Sequence, residues 1–517
     1  MYSPVSKLVS LLAVPLFIPN VYSQEKPNIV LIVADDLGYG DIRSLNDNAK
    51  TYTPSIDRLV NSGITFSEAH SSASVCTPSR YGILTGRYAF RSERAKTGIT
   101  GFEASVIEDH RATIASMLQS GGYNTAVVGK WHLGIDWVTN DNQPARMEAQ
   151  TGYSNVNYKA PVSRGPNNYG FEYSFIHPAS LDIPPYLFLR NHKAVDHEMV
   201  LTTAVYERRL PNTVFSWDKK HSDDLAVYWE KGIWWREGEM SGSFRIEECQ
   251  EQIISASVQY IDSVATDKDP FFLYVPLTSP HTPWVPHARF KGKSHVGVYG
   301  DFVTEMDEAV GQIVDALKRN GVYENTLLIF TSDNGAYWPD EEIELFAHDS
   351  NAGRKGQKGD VWDGGHRVPL IVTWPKLVKT PRNYPHLVGL TDLFATLGEI
   401  TGQPVGLHSA EDSYSFAGVI VNDSKTPIRN SMVHHTASNR YSLRFGNWKF
   451  IDGLGSGGFT HPTRLSPEEH GPAGQLYDLD NDPGERINLY QNHPKRVAEM
   501  DEMLNLLKTK GHRLSVD

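Results

Sequence analysis

At 517 residues, with 40% hydrophobic and 21% charged residues, the chain has an ordinary globular composition and is long for a single core. Two domains, or one large domain with insertions, are expected. A formal net charge of −12 argues against a nucleic-acid partner, and positive charge for an anionic ligand must be gathered locally.

Residues 1–23 read as an export signal. Lys7 is the basic start, residues 8–18 are apolar, and Val21-Tyr22-Ser23 is a small-residue cleavage site. The run is too short for a membrane span and contains Pro15; no other stretch is long enough, so no membrane partner is expected. Only Cys76 and Cys249 are present, which gives no disulfide framework for an exported, bacterial-type protein, periplasmic or secreted.

Residues 28–34 are continuously apolar and β-branched, which predicts a buried strand of a parallel sheet. Asp35 and Asp36 follow it, where open α/β sheets bind ligands. Adjacent carboxylates repel unless a cation lies between them, although an acidic turn is the plainer alternative. Thr53-Pro54 opens a helix, and residues 64–66 a short strand. The string Cys76-Thr77-Pro78-Ser79-Arg80 then puts a cysteine just before a helix N-terminus, with Arg80 one turn on. Cys76 alone reads equally as a small buried hydrophobe.

Residues 113–121 predict a helix, and residues 123–129 a strand running into Lys130 and His132. Continued extension would place those two side chains on one side. Residues 136–250 read as insertions over the active face. They carry Ser180, Asp182 and the tryptophans Trp217, Trp229, Trp234 and Trp235, which suit either sugar stacking or a core. A helix over 245–265 and a strand over 271–276 lead to His281, held in a loop by flanking prolines. Residues 299–320 predict a helix, and residues 326–332 a core strand ending in Asp333-Asn334-Gly335. Asp35, Asp36, Asp333 and Asn334 offer hard oxygens and no soft ligand, which suits Ca²⁺, with Mg²⁺ second. Gly356-Gln357-Lys358-Gly359 precedes Asp363-Gly364-Gly365-His366-Arg367, then a strand and a helix over 391–400. From about 430 the pattern becomes antiparallel, with a glycine-rich loop at 453–458 and a terminal helix over 496–508.

Cys76-x-Pro78-Ser79-Arg80 with Leu84-Thr85-Gly86-Arg87 resembles the signature of the sulfatase family. The resemblance extends to Gly129-Lys130-Trp131-His132-Leu133-Gly134, His281-Thr282-Pro283 and the Lys358 block, in the family's order. Gln357 and Asp363 depart from it, standing where glycine and glutamate are common, and leave Lys355 a competitor for the place of Lys358. The resemblance implies an α/β fold. It would have a large alkaline-phosphatase-like domain (24–405), whose central, mostly parallel sheet is flanked by helices. A smaller C-terminal α+β domain (406–517) would carry an antiparallel sheet and the terminal helix.

It also implies hydrolysis of sulfate esters on a sulfated carbohydrate, a poly- or oligosaccharide such as the algal galactan carrageenan. A maturation enzyme would oxidise Cys76 to formylglycine, whose gem-diol is the nucleophile, giving a sulfo-enzyme intermediate. The divalent cation would sit on Asp35, Asp36, Asp333, Asn334 and modified Cys76. Arg80 and Lys130 would steady the nucleophile. Lys358 and Ser180 would hold sulfate, and His281 would protonate the leaving oxygen with help from Lys358. His132 would be the base that regenerates the aldehyde. The alternatives are a phosphomonoester or phosphonate hydrolase of the same superfamily, and a non-catalytic glycan-binding protein on this scaffold.

Overall fold

The run Asn28–Ala34 forms a strand buried on both faces: Ile29, Leu31 and Val33 join one hydrophobic core, Val30, Ile32 and Ala34 another. Each of these Val, Leu and Ile side chains contributes about 1.5–3 kcal/mol when buried, so the alternation fixes this strand at the centre. The computed structural model describes residues 25–148, 150–206, 236–406, 408–436 and 438–510. The expected export signal and Trp217, Trp229, Trp234 and Trp235 lie outside these residues.

Asn28–Ala34 is flanked by the parallel strands Thr326–Ser332 and Phe271–Pro276; Asn124–Lys130 and Tyr173–His177 follow, all parallel, in a ten-stranded sheet. Beyond Thr326–Ser332 the direction reverses at Leu370–Thr373. Helices cover both faces, among them Ile114–Ser120 and Asp392–Thr401 on one and Cys249–Val264 and Gly297–Arg319 on the other. Tyr173–His177, inside the stretch read as insertion, belongs to this sheet, where it extends the parallel ladder from Asn124–Lys130. No helix among the described residues is long and apolar enough to cross a membrane.

A four-stranded antiparallel sheet, in the order Ser431–His435, Tyr441–Phe445, Trp448–Ile451, Gln475–Asp478, forms the smaller C-terminal unit. The helix Pro494–Thr509 packs Val497, Met500, Leu504 and Leu507 into a core with Leu443 and Phe450. The intervening helix Ala417–Asn422 instead packs into one of the two large cores through Ala417, Val419 and Ile420.

Buried polar contacts join the two units. Lys449 of the small sheet donates to Asp363 at 2.7 Å. His70 Nδ1 lies 3.1 Å from His366 Nδ1, and the rings of His366 and His434 stack with centroids 3.8 Å apart. Burial first, then the neighbouring histidines and Lys449, holds His366 and His434 well below the ordinary histidine value; His70 is lowered mainly by burial. The folded pKa values therefore lie under the unfolded value of 6.5. The stabilisation is complete above that value and drains away as pH falls from it toward the folded values, because only the unfolded chain takes up protons there. Melting temperature is expected to fall from pH 7 to 5 more steeply in the wild type than in His434→Phe, the difference approaching about 1.4 kcal/mol per pH unit for one histidine. Parallel curves would remove this cluster as the acid-sensitive joint.

Candidate active site

The register sets the site. Ala34 pairs with Ser332, so Asp35 and Asp333 leave adjacent parallel strands side by side. Asp333 N donates to Ala34 O at 3.1 Å, and Asp36 N to Asp333 Oδ1 at 3.2 Å. Asp36 turns into the left-handed region at φ 65° and brings its carboxylate back over the strand ends. Two strands along, Lys130 ends its own strand; Gly129 permits this, since a Cβ there would lie 1.9 Å from Pro276 O.

The helix Cys76–Thr85 supplies the next groups. It begins at Cys76 itself rather than after it. The first four N–H groups of a helix have no partner inside the helix, so Pro78 sits in the first turn without losing a bond. Cys76 Sγ donates to Asp35 Oδ1 at 3.6 Å. Arg80, wholly buried, donates through Nε to Asp333 Oδ2 at 2.9 Å, through Nη2 to Asp35 Oδ1 at 3.2 Å, and through Nη1 to Lys130 O at 3.1 Å. Lys130 Nζ donates to both oxygens of Asp35 at 2.9 and 2.7 Å and to Ser180 Oγ at 3.0 Å.

On the other side of Cys76, Lys358 Nζ donates to Asp36 Oδ2 at 2.7 Å and to His281 Nε2 at 2.8 Å. His281 Nδ1 faces Thr282 O at 2.5 Å, which assigns the ring proton to Nδ1 and the lone pair to Nε2. Ser180 Oγ is 3.4 Å from that Nε2. Lys355 lies elsewhere: its Nζ donates to Glu485 O and sits 4.1 Å over the Trp362 ring. The geometry thus separates two lysines that the sequence left in competition.

His132 does not continue the strand. At φ 53° it turns into the left-handed region, and its Nε2 lies 2.9 Å from Ile99 O. That contact assigns the proton to Nε2, leaving Nδ1 buried without a partner. All eleven residues singled out from the sequence therefore lie in one buried cluster or line the cavity of about 730 Å³ beside it.

The electrostatics follow from burial against pairing. Burial pushes Asp35 up, but the Lys130 ammonium and the Arg80 guanidinium outweigh it and hold the carboxyl well below its usual range. Asp36, with burial opposed chiefly by Lys358, is pushed up to about 6, and burial also raises Asp333. Burial drives the Cys76 thiol far upward. An unmodified thiol here is not ionised near neutrality and is a poor nucleophile.

The donor set fits a hard cation. Asn334 Nδ2 donates to Asp36 Oδ1 at 2.7 Å, which leaves Asn334 Oδ1 buried and without a partner. Donor atoms of Asp35, Asp36, Cys76 and His281 lie within 4.8 Å of one another. Of these, His281 Nε2 is already engaged by Lys358, so the carboxylates and the orphaned amide oxygen are the better cation ligands.

The cavity also has walls the sequence did not mark. Asp182, Arg236, Tyr337, Phe459 and His461 line it. Asp182 Oδ1 is 3.8 Å from His281 Nδ1, and Arg236 Nη1 donates to Asp182 Oδ2. Asp182 lies two residues after Ser180 in the stretch read as insertion but had no role assigned to it; Phe459 and His461 come from the loop following the glycine-rich segment at 453–458, which carried no sign of its destination.

The family model described as Sulfatase matches residues 27–403. An N-acetylgalactosamine-6-O-sulfatase of Bacteroides thetaiotaomicron is 32% identical over 510 residues, 95% of each chain. A solved structure from work on glycosaminoglycan metabolism by Bacteroides thetaiotaomicron superposes with a TM-score of 0.77 at 30% identity, covering 94% of this chain and all of that one. A structure described as Ps i-CgsB in complex with k-i-k-neocarrahexaose gives a TM-score of 0.65 over 95% of this chain and 94% of that one; at 23% identity it bears on the fold alone.

Proposed function

Because the chain belongs to the sulfatase family and is a sulfuric ester hydrolase, we propose that its substrate is a sulfated carbohydrate, with a 6-sulfated hexosamine the first to test. The carrying observation is the convergence of Lys358 Nζ, Ser180 Oγ and His281 Nε2 beside Cys76 at one end of an open cavity. That arrangement suits a tetrahedral anion held on one side while its sugar lies in the cavity. The name of the 32%-identical relative favours the hexosamine. Carrageenan, the galactan expected from the sequence, rests only on resemblance and enters as a competitor.

Formylglycine made from Cys76 by a maturation enzyme would supply a hydrated aldehyde as nucleophile, and a divalent cation, Ca²⁺ before Mg²⁺, would supply Lewis acidity. Asp35, Asp36, Asp333 and Asn334 would hold the cation. Arg80 and Lys130 fix Asp35 and Asp333 and place positive charge behind residue 76. Lys358 and Ser180 bind sulfate oxygens. The leaving sugar oxygen takes its proton from the Lys358–His281 pair: His281 Nε2 carries the lone pair, so the proton at that junction is on the Lys358 ammonium. His132, whose Nδ1 is buried without a partner and which lines the same cavity, would be the base that takes a proton from modified residue 76. This reading includes export of the mature chain, 24–405 acting as the catalytic unit and 406–517 as its partner.

A panel of N-acetylgalactosamine 6-sulfate, carrageenan oligosaccharides and matched phosphate esters tests the reading. Sulfate release from the first, well above the others, is expected. Faster cleavage of the phosphate esters, or saturable binding with no release of sulfate, would replace it with one of the two alternatives. Cation removal gives a second test. Chelator-treated protein is expected to regain stability on adding Ca²⁺, by about 2.7 kcal/mol at a hundredfold excess over the Ca²⁺ Kd, and by less with Mg²⁺ at the same concentration. Asp36→Asn with Asp333→Asn should abolish that shift; an unchanged shift would move the cation elsewhere.

A further inference from the structure

The geometry points to a second saccharide-binding cleft beside the catalytic cavity, in which the ring of Phe459 is the platform for sugar units adjoining the sulfated one. The inference rests on the carbohydrate reading above and extends it from a sulfated sugar to an oligosaccharide.

A cleft of about 1160 Å³ adjoins the catalytic cavity of about 730 Å³, and Tyr337, Phe459 and His461 line both. The smaller volume already suffices for a single small ligand. The three shared residues place the two volumes side by side, with Phe459 in their common wall.

Phe459 stands at the junction with 49% of its surface exposed. It is nevertheless fixed. Its ring lies against Gly359, where a Cβ would come within 3.1 Å of the ring atoms, and meets the Tyr337 ring edge-on at 6.0 Å. The backbone below it is clamped: a Cβ on Gly458 would lie 2.1 Å from Gly359 O, and Thr460 N donates to Asp360 Oδ1 at 3.0 Å. A rigid aromatic face held open in the wall of a cleft is a ready stacking surface, and the C–H faces of sugar rings can cover it while leaving their hydroxyls wet. Because the clamp runs from Phe459 to the residue after Lys358, the platform is registered to the sulfate end of the site.

The charge of the cleft indicates which units it takes. Arg354, Lys355 and Arg486 on its walls are matched by Asp340, Glu341 and Asp349. The signs cancel, so the cleft has no net attraction for a second sulfate. It fits uncharged saccharide units, bound through stacking and hydroxyl or amide hydrogen bonds.

The test compares kcat/KM on N-acetylgalactosamine 6-sulfate and on a hexasaccharide carrying one such unit among uncharged sugars. The wild type is expected to prefer the hexasaccharide by about tenfold or more, mainly through KM; Phe459→Ala should shrink that preference to near unity, and Phe459→Trp should keep it. Equal kcat/KM on both substrates in the wild type, or equal loss on both in Phe459→Ala with Phe459→Trp no better, would overturn the proposal. Binding of the fully desulfated hexasaccharide decides the cleft independently of catalysis. Saturable binding weakened by Phe459→Ala supports it even should no sulfate ester be cleaved, a result that would defeat the sulfatase-on-carbohydrate reading alone. Absence of binding to the wild type overturns it.

Discussion

Cys76→Ala is expected to lose sulfatase turnover by about 10⁴-fold or more, the scale seen when a covalent nucleophile is removed from an otherwise intact site. The fold should survive. Cys76 is small and buried, and its one polar contact is the long thiol bond to Asp35, so truncation leaves no buried charge unpaired. Loss of activity without loss of melting temperature would therefore report chemistry rather than stability. Cys76→Ser sharpens the test. A serine hydroxyl has nearly the same shape and can accept a group, but it has no second hydroxyl whose deprotonation expels that group again. It is expected to show at most a single turnover while still binding substrate. Sustained turnover by the alanine variant, or multiple turnovers by the serine variant, would remove residue 76 as a formylglycine precursor. Mass spectrometry of the wild-type peptide spanning Cys76 should find the aldehyde; a plain thiol in fully active protein would contradict the assignment directly.

Much of this site was legible because its residues sit at the ends of strands that announce themselves. Asn28–Ala34 and Thr326–Ser332 are apolar on both faces, so they must be central, and a central parallel strand delivers whatever follows it to one edge of the sheet. Asp35, Asp36, Asp333 and Asn334 could thus be grouped from hydrophobicity and spacing. Other features depended on contacts that no local pattern encodes. Lys355 and Lys358 are three residues apart, and only the turn through Gly356 sends one over Trp362 and the other to Asp36. His132 was placed beside Lys130 by assuming extension; its left-handed turn puts it on the Ile99 carbonyl instead. Phe459 reaches the cavity through a backbone approach between Gly359 and Gly458, a pairing across about a hundred residues that neither glycine signals by itself.

Arg80→Leu is expected to destabilise the protein by about 3–5 kcal/mol, because it strands buried carboxylates rather than merely deleting a contact. Among the described residues the Arg80 guanidinium is the only side chain giving a direct hydrogen bond to Asp333 Oδ2, and it shares Asp35 with Lys130. Leucine fills much of the volume but leaves the buried Asp333 and Asp35 carboxylates without the guanidinium they share. Burial already raises Asp333 in the presence of the arginine, so its removal must either protonate that carboxyl or open the site to water. The measurement is denaturant unfolding with a chelator present, so that bound cation does not mask the charge imbalance. Two companions locate the cause. Arg80→Lys keeps the charge but not the planar fork that reaches Asp333, Asp35 and the Lys130 carbonyl together, and should recover only part of the loss. Arg80→Leu combined with Asp333→Asn should be more stable than Arg80→Leu alone, with a coupling of about 0.5–3 kcal/mol. A double variant no better than the single one would mean that Arg80 stabilises by packing, and the electrostatic frame assigned to the site would have to be rebuilt around Lys130.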